Sequence, residues 1–573
     1  MHYPRFLLVI FVFLSICLVG WKYLPVFAWP GQSHEPAAGR AESLPSLEAR
    51  AGEKLAAQQW AEAAALFARL TEINPHQGRY WSQLGQARLR GADYRGAIQA
   101  FEKALELGAG YPFNAAYNIA CSYALMGQKE QSLKWLEQAL EMGFRNLQQV
   151  RTDENLKSLR GDLRYIKLAA LDDVSKMSRD EGWRYDLWLL ARELKRVHYD
   201  PFKKITKEEF EAYVKKLHDE IPKLTDPQIE VRLIGLSRLM GDGHTRLQST
   251  TAVPPQRRSV PAQFYLFTEG LFITSAAPKQ ADLVGAQVVR IGEHTIDKVM
   301  TALDPIISRD NQIWLKTIAP GLMRNPRVLN GLGLIPEVDK MTITVTDGTG
   351  KTRTAQLAAE PEEPTENWPQ ARQQATLPEP LYLKNRRANY WFEYLPEAKT
   401  VYFQYNAVQN NPQESLTQFC DRLFKFINEK EVERLVIDMR WNGGGNNFLN
   451  RPIVHGLIRN DKINQRGKLF VIVGRQTFSA AMNAAAEIER QTNAIFVGEP
   501  TGSSPNFVGE TIPVELPYSK MRGSISDLLW QSSVAMDYRT WIAPLLYTPP
   551  SFELYRANRD PAMEAILAWQ PER

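Results

Sequence analysis

Apolar positions along this chain follow three different spacings. From Ser46 to Ala170 they recur every three or four residues in short paired segments, and the pairs repeat about every 34 residues, which predicts helical hairpins stacked as a solenoid. The stretch from 180 to 250 keeps the helical spacing without the repeat, in WRYDLWLLARELKRVHYDPF, TKEEFEAYVKKLHDEI and DPQIEVRLIGLSRLMGDGHT. The second of these opens on Thr206 with Glu209 three residues on, a capping pair. Between 251 and 359 the apolar residues form short strand signals, FYLFTEGLFITSA, AQVVRIGEHTIDKVMTAL and KMTITVTDGTGKTRTAQLAA, interrupted by a helix-like stretch from Asp310 to Leu334. A Pro/Glu/Gln-rich segment, 360–380, separates this region from the last one, 381–573. There, continuous apolar runs alternate with helical patterns. Arg434–Arg440 is a buried strand, Trp441–Gly445 a glycine turn, Lys468–Val473 a second strand, and NAIFVGEPTG a third.

The N-terminus changes the picture of where the protein works. An apolar run from Phe6 to Gly20, with Arg5 before it and Lys22 after it, fits the core of a signal peptide, and Val26-Phe27-Ala28 offers a small-residue cleavage site. Residues 1–28 are therefore expected to be a signal peptide or, uncleaved, an N-terminal membrane anchor, and 29–45 a linker. Export to the periplasm or another extracytoplasmic space follows, with membrane contact only through this segment. Ile16 before Cys17 is not the small residue a lipidation site needs. A net charge of +5 over 573 residues, with no basic run interleaved with aromatics, gives no reason to invoke nucleic acid. The remaining cysteines, Cys121 and Cys420, fall in helical patterns and form neither a disulfide framework nor a zinc site; the acyl-transfer chemistry considered next requires no metal or organic cofactor, and none is expected.

The candidate chemistry sits at the strand-to-helix turns of the last region. Ser479 lies where the second strand gives way to an alanine-rich helix, so unpaired amide N–H groups and the positive end of the helix dipole favour a developing anion there. Gly443 or Gly444 could supply one oxyanion donor and Ala480 the other, because glycine lets backbone approach a substrate with no Cβ in the way. The plainer reading makes Ser479 a helix N-cap and Gly443–Gly445 a tight turn. For a base, His244, on the loop Asp242-Gly243-His244-Thr245, and His455, in the helix after the glycine turn, compete.

Four ordered segments carry a family resemblance. LVIDMRWNGGG, GRQTFSAAMNAA and FVGEPTGSSPN resemble the catalytic domain of the tail-specific, or C-terminal processing, serine peptidases. LSRLMGDGHTRL resembles the motif of the branch that includes the tricorn protease core and the interphotoreceptor retinoid-binding proteins. In the repeat region Trp81, Leu84, Gly85, Ala97, Phe101 and Ala104 fall at the spacing of one tetratricopeptide repeat, with neighbouring units on either side and 143–170 as a cap. The resemblance covers roughly Leu187 to the C-terminus. It implies a multidomain chain: an all-α tetratricopeptide solenoid, then a ClpP/crotonase-like α/β peptidase domain with a helical subdomain and a β-rich, degenerate PDZ-like region.

The resemblance also assigns roles. It makes Ser479 the nucleophile and, since no lysine stands at or near Ser504 where the lysine-using branch has one, favours His244 as base. Asp537, with Glu510 behind it, is the candidate to orient the imidazole; the alternative is that Asp537 simply pairs with Arg539. Asp438 and Arg440 are expected to brace the glycine turn. The implied protein is an exported serine peptidase acting on a protein or peptide substrate, with the repeats recruiting a substrate or protein partner. The alternative is a non-catalytic binding scaffold on the same fold.

Overall fold

The computed structural model describes residues 43–252, 257–373 and 375–570. The N-terminal apolar run, its cleavage site and the linker as far as residue 42 lie outside the described residues.

Three helix pairs form the solenoid: Leu44–Ala56 with Trp60–Ile73, Gly78–Arg90 with Tyr94–Glu106, and Pro112–Leu125 with Lys129–Glu141. Small residues decide how closely the helices cross. Gly85 lies so near Phe101 that a Cβ on it would come within 2.8 Å of the ring, and Ala97, Ala104 and Ala120 are fully buried. Short helical segments at Leu147–Thr152, Glu154–Leu159 and Leu163–Leu168 close the stack. There the Tyr165 hydroxyl donates to the Val150 carbonyl, and Arg151 donates to the carbonyls of Ala169 and Ala170.

Helices Arg179–Val197, Lys207–Glu220 and Asp226–Arg238 follow, the first two opened by capping boxes at Ser178 and Thr206. They share one hydrophobic core with the β-rich region. That region is an antiparallel sheet ordered Ala262–Phe267, Gly270–Ala276, Gln287–Ile291, Lys340–Thr346, Thr352–Ala358, with His294–Thr295 paired to its middle strand and helix Ile296–Leu303 after it. The interrupting stretch folds as two helices, Gln312–Leu322 and Pro326–Gly331.

The last region is built on a six-stranded sheet in the order Tyr390–Leu395, Thr400–Tyr405, Arg434–Asp438, Leu469–Val473, Ile495–Gly498, Leu546–Tyr547. The first pair is antiparallel and every later pair parallel. Both faces are covered, which explains why its central strands read as unbroken apolar runs. Helices Leu416–Glu429, Arg451–Arg459 and Ala480–Gln491 pack on one face, and the C-terminal helix Pro561–Ala568 on the other. A long hairpin, Asn506–Glu515 with Arg522–Gln531, leaves this domain and pairs with Arg246–Leu247, just beyond the helical subdomain.

Candidate active site

The two strand-to-helix turns of the parallel sheet meet at its carboxyl edge. Strand Leu469–Val473 ends at Gly474, whose N–H donates to the Thr477 hydroxyl at 3.0 Å; that hydroxyl in turn donates to the Met439 carbonyl at 2.9 Å. The Phe478 N–H donates to the Asn442 carbonyl at 3.1 Å. These bonds fasten the serine turn to the glycine turn and hold Ser479 at φ 56°, ψ −129°. A non-glycine residue in that region is strained, and it persists only where its surroundings over-determine it. Such a sharp strand-turn-helix lifts a side chain out of the sheet's edge, which is how nucleophilic serines are presented. Ser479 stands at the N-cap position of helix Ala480–Gln491, yet its side chain makes no capping bond, so the plainer reading of it as a cap does not describe it.

The glycines behave differently from one another. A Cβ on Gly444, at φ 106°, would lie 2.6 Å from Ser479 Cβ and 2.9 Å from the Ala480 nitrogen, so the turn closes on the serine only because this residue has none. Gly444 spends its N–H on Asn442 Oδ1, at 3.0 Å. Among the described residues Gly443 and Ala480 donate their amides to no protein atom, and of the two glycines it is Gly443 that keeps a donor available. Below the turn, buried Asp438 accepts from the Arg440 backbone and side chain at 3.0 Å and from the Tyr402 hydroxyl at 2.7 Å. Arg440 reaches on to both oxygens of Asp560, so Asp438 and Arg440 do brace the turn.

His244 comes to the serine turn from the helical subdomain. Its imidazole lies between the rings of Phe478 and Phe507, with centroids 4.4 and 5.3 Å away and planes 26° and 8° apart. Its backbone is pinned on both sides: the N–H donates to Asp242 Oδ1 at 2.8 Å, and the carbonyl accepts from Ser524 on the hairpin at 2.8 Å. Both ring nitrogens are buried and have no well-formed hydrogen bond among the described residues, although the Val508 backbone is close enough to favour the charged ring slightly. Burial holds the imidazole pKa down at about 4, against opposition from the Asp242 charge and with some help from Arg246.

Asp242 is the hub of this loop. It accepts from His244, Thr245 and the Ser526 hydroxyl on one oxygen and from His198 Nε2, at 2.9 Å, on the other. Burial raises its pKa, but these donors outweigh it and keep the carboxyl below its ordinary value. Asp310 is the opposite case. Its carboxylate takes the Gly243 N–H at 2.9 Å and the Ser503 hydroxyl, yet burial pushes its pKa up to about 7, the Ser503 bond opposing and the nearby Asp242 charge adding to the rise.

Asp537, expected to orient the imidazole, does not reach it. Its carboxylate is occupied by Arg539, at 3.0 and 2.8 Å, and by the Ser533 hydroxyl at 2.7 Å, and Arg539 is shared with Glu489. The arginine two residues on wins because it offers a charged fork at no cost in loop closure. Glu510, the reserve candidate, is exposed on the hairpin. His455 is exposed on helix Arg451–Arg459. Ser504 donates to the Thr540 carbonyl at 3.2 Å. Sequence reasoning missed Asp310, Ser503 and the two phenylalanines around His244. Phe478 and Ser503 lie inside the motif segments GRQTFSAAMNAA and FVGEPTGSSPN but nothing in those patterns gives them this role, and Asp310 opens the stretch that interrupts the β-rich region.

A tetratricopeptide repeat model matches residues 78–107 and 113–142. No curated protein matches the chain. Solved structures similar to it include mature CPAF complexed with lactacystin, at 12% identity over 68% of this chain and 97% of that one, with a TM-score of 0.49. The photosystem II D1 C-terminal processing protease is similar at 13% identity over 68% and 97% of the two chains, with a TM-score of 0.34. The tricorn protease is similar at 14% identity over 68% of this chain and 36% of its own, also with a TM-score of 0.34. Two segments of the solenoid therefore match a tetratricopeptide repeat model, and the region after it is similar, at low identity, to the solved proteases just named.

Proposed function

We propose that the protein is an exported serine peptidase that hydrolyses peptide bonds through an acyl-enzyme, and that its repeats recruit a protein substrate or partner. The observation that carries this reading is the strained backbone at Ser479, held by bonds from the glycine turn. Strain of that kind costs about 1–3 kcal/mol and is kept where it serves a purpose.

In this reading Ser479 Oγ attacks the carbonyl carbon of the scissile peptide while His244 takes the hydroxyl proton. The tetrahedral oxyanion rests on the N–H groups of Gly443 and Ala480. The intermediate collapses as His244 returns the proton to the departing amine, and water, deprotonated by the same imidazole, releases the acyl group from Ser479. No carboxylate is bonded to the His244 ring, so the ring's orientation comes from Phe478, Phe507 and the pinned backbone. The test is labelling of the purified protein with a fluorophosphonate and mapping of the modified residue. Modification of Ser479 that is lost in His244→Ala is expected; a folded protein that takes no label overturns the proposal.

A second reading, a binding scaffold without turnover, is favoured by one observation: both His244 nitrogens are buried with no well-formed hydrogen bond among the described residues. Absence of label together with saturable peptide binding would select it.

A further inference from the structure

One segment of the β-rich region, 310–317, touches both halves of the proposed chemistry. Asn311 Oδ1 accepts the N–H groups of Ile313 and Trp314 at 2.9 and 3.2 Å and so opens helix Gln312–Leu322. The amide of the same side chain donates to the carbonyls of Thr501 and Thr540 at 3.2 and 2.6 Å. Trp314 stacks on Phe478 with ring centroids 4.1 Å apart, and the Thr317 hydroxyl donates to the Arg475 carbonyl at 3.0 Å. Room for this contact depends on Gly502, where a Cβ would lie 2.7 Å from the Trp314 ring and 2.3 Å from the Arg475 carbonyl oxygen. The helix is thereby fastened to the serine turn and to the turn after the third parallel strand.

Asp310 extends the same attachment to the candidate base. One carboxyl oxygen takes the Gly243 N–H, one residue before His244, and the other takes the Ser503 hydroxyl. Gly243 fits closely here, since a Cβ on it would come within 2.8 Å of the Phe478 ring. Ser524 and Ser526 hold the His244 loop from the hairpin, and Asp310 ties it to the turn that carries Ser503.

We propose that Asp310 is a positioning residue: through Gly243 and Ser503 it sets where the His244 imidazole stands relative to Ser479. Its catalytic meaning rests on the peptidase reading, in which a misplacement of about 1 Å between reacting groups costs about a hundredfold in rate. A neutral carboxyl serves both bonds, because one oxygen accepts from Gly243 and the other can exchange donor and acceptor roles with the Ser503 hydroxyl. Ionisation instead sets a second charge near Asp242, whose own carboxylate is bonded to His198. The other charged groups on these elements are already paired, Arg309 with Asp304 and Arg475 with Glu499. Desolvation, with the Ser503 bond opposing, holds the Asp310 pKa up at about 7. The carboxyl therefore keeps its proton below that pH, and the junction weakens as pH rises through it.

The test is carbethoxylation of the full chain with diethyl pyrocarbonate, with mass mapping of His244, in the parent, Asp310→Ala and Asp310→Asn. The buried ring nitrogens are expected to be protected in the parent at pH 6. Asp310→Ala should raise the rate at His244 by about tenfold or more, while buried Cys420 stays closed to iodoacetamide. Asp310→Asn keeps the shape and one acceptor but cannot ionise. It should match the parent at pH 6 and react more slowly than the parent by about tenfold at pH 8, one unit above the Asp310 pKa. An unchanged rate in Asp310→Ala, a rise matched by exposure of Cys420, or a flat ratio of parent to Asp310→Asn between these pH values overturns the inference. If Asp310→Ala does not fold, Ser503→Ala, which removes only the hydroxyl, is expected to raise the rate at His244 and carries the same comparison. Fluorophosphonate labelling of the same proteins reads Ser479 separately: no label on a chain whose His244 follows the expected pattern rejects the peptidase reading and leaves the placement of His244 by Asp310 standing.

Discussion

Ser479 places strain and candidate chemistry on one residue, and the two can be separated by substitution. At φ 56°, ψ −129° glycine is at ease. Ser479→Gly is therefore expected to raise stability by about 1 kcal/mol while abolishing turnover, and Ser479→Ala to abolish turnover with no such gain. Urea unfolding of the three proteins measures the difference. Gly444→Ala should fail on both counts, because its Cβ would lie 2.6 Å from that of Ser479 and φ there is 106°. His244 and Asp310 oppose each other in pH dependence. With a folded pKa of about 4 against an ordinary 6.5, His244 stays neutral where the unfolded chain takes up a proton. Stability from this group is therefore lost as pH falls from 6.5 to 4, by up to about 3 kcal/mol. Asp310, at about 7 against 3.8, holds a proton that the unfolded chain releases, so its contribution is lost as pH rises through that window. Denaturation midpoints of Asp310→Asn relative to the parent should climb between pH 5 and pH 8; a flat difference would mean that the carboxyl ionises normally.

At the scale of elements, the site depends on loops fixed by partners far away in the chain. Arg440, partly buried, lies between the buried carboxylates of Asp438 under the glycine turn and Asp560 before the C-terminal helix. Removing it leaves two carboxylates buried without their cation, and Arg440→Met is expected to cost about 3–5 kcal/mol. Asp537→Asn, by contrast, disturbs only the cluster with Arg539, Glu489 and Ser533. It should leave the rate of peptide hydrolysis almost unchanged, and a large loss would show that the carboxylate moves to His244 when substrate binds. The helix sequences and their caps were legible from the apolar spacing and from pairs such as Thr206 and Glu209. The partners of Asp537 were legible only as alternatives, because a carboxylate two residues from an arginine looks the same in sequence whether or not a histidine lies nearby.

Across the whole molecule, an ion pair joins the repeats to the elements that hold the candidate site. Arg145, just after the last helix of the solenoid, bonds Asp527 on the hairpin strand whose Ser526 donates to Asp242. Asp527 is nearly fully buried, with 3% of its side chain exposed. Arg145→Ala is expected to destabilise the chain by about 3 kcal/mol and the double variant with Asp527→Asn by much less, since the second change removes the stranded charge. Additive losses would show that the pair contributes nothing of its own.

What the sequence determined by itself was local: the repeat, from its 34-residue spacing; the parallel strands, from unbroken apolar runs buried on both faces; and the glycine and serine turns, from residues whose backbone preferences need no distant partner. Tertiary structure alone decided which side chains meet. Residues as far apart as Asp242, Asp310, Phe478 and Phe507 converge around His244, and the pKa shifts of His244 and Asp310 follow mainly from desolvation. The physical reason is the same in each case. Burial and pairing are properties of the packed chain, and a sequence records the groups without recording which of them lose their water together.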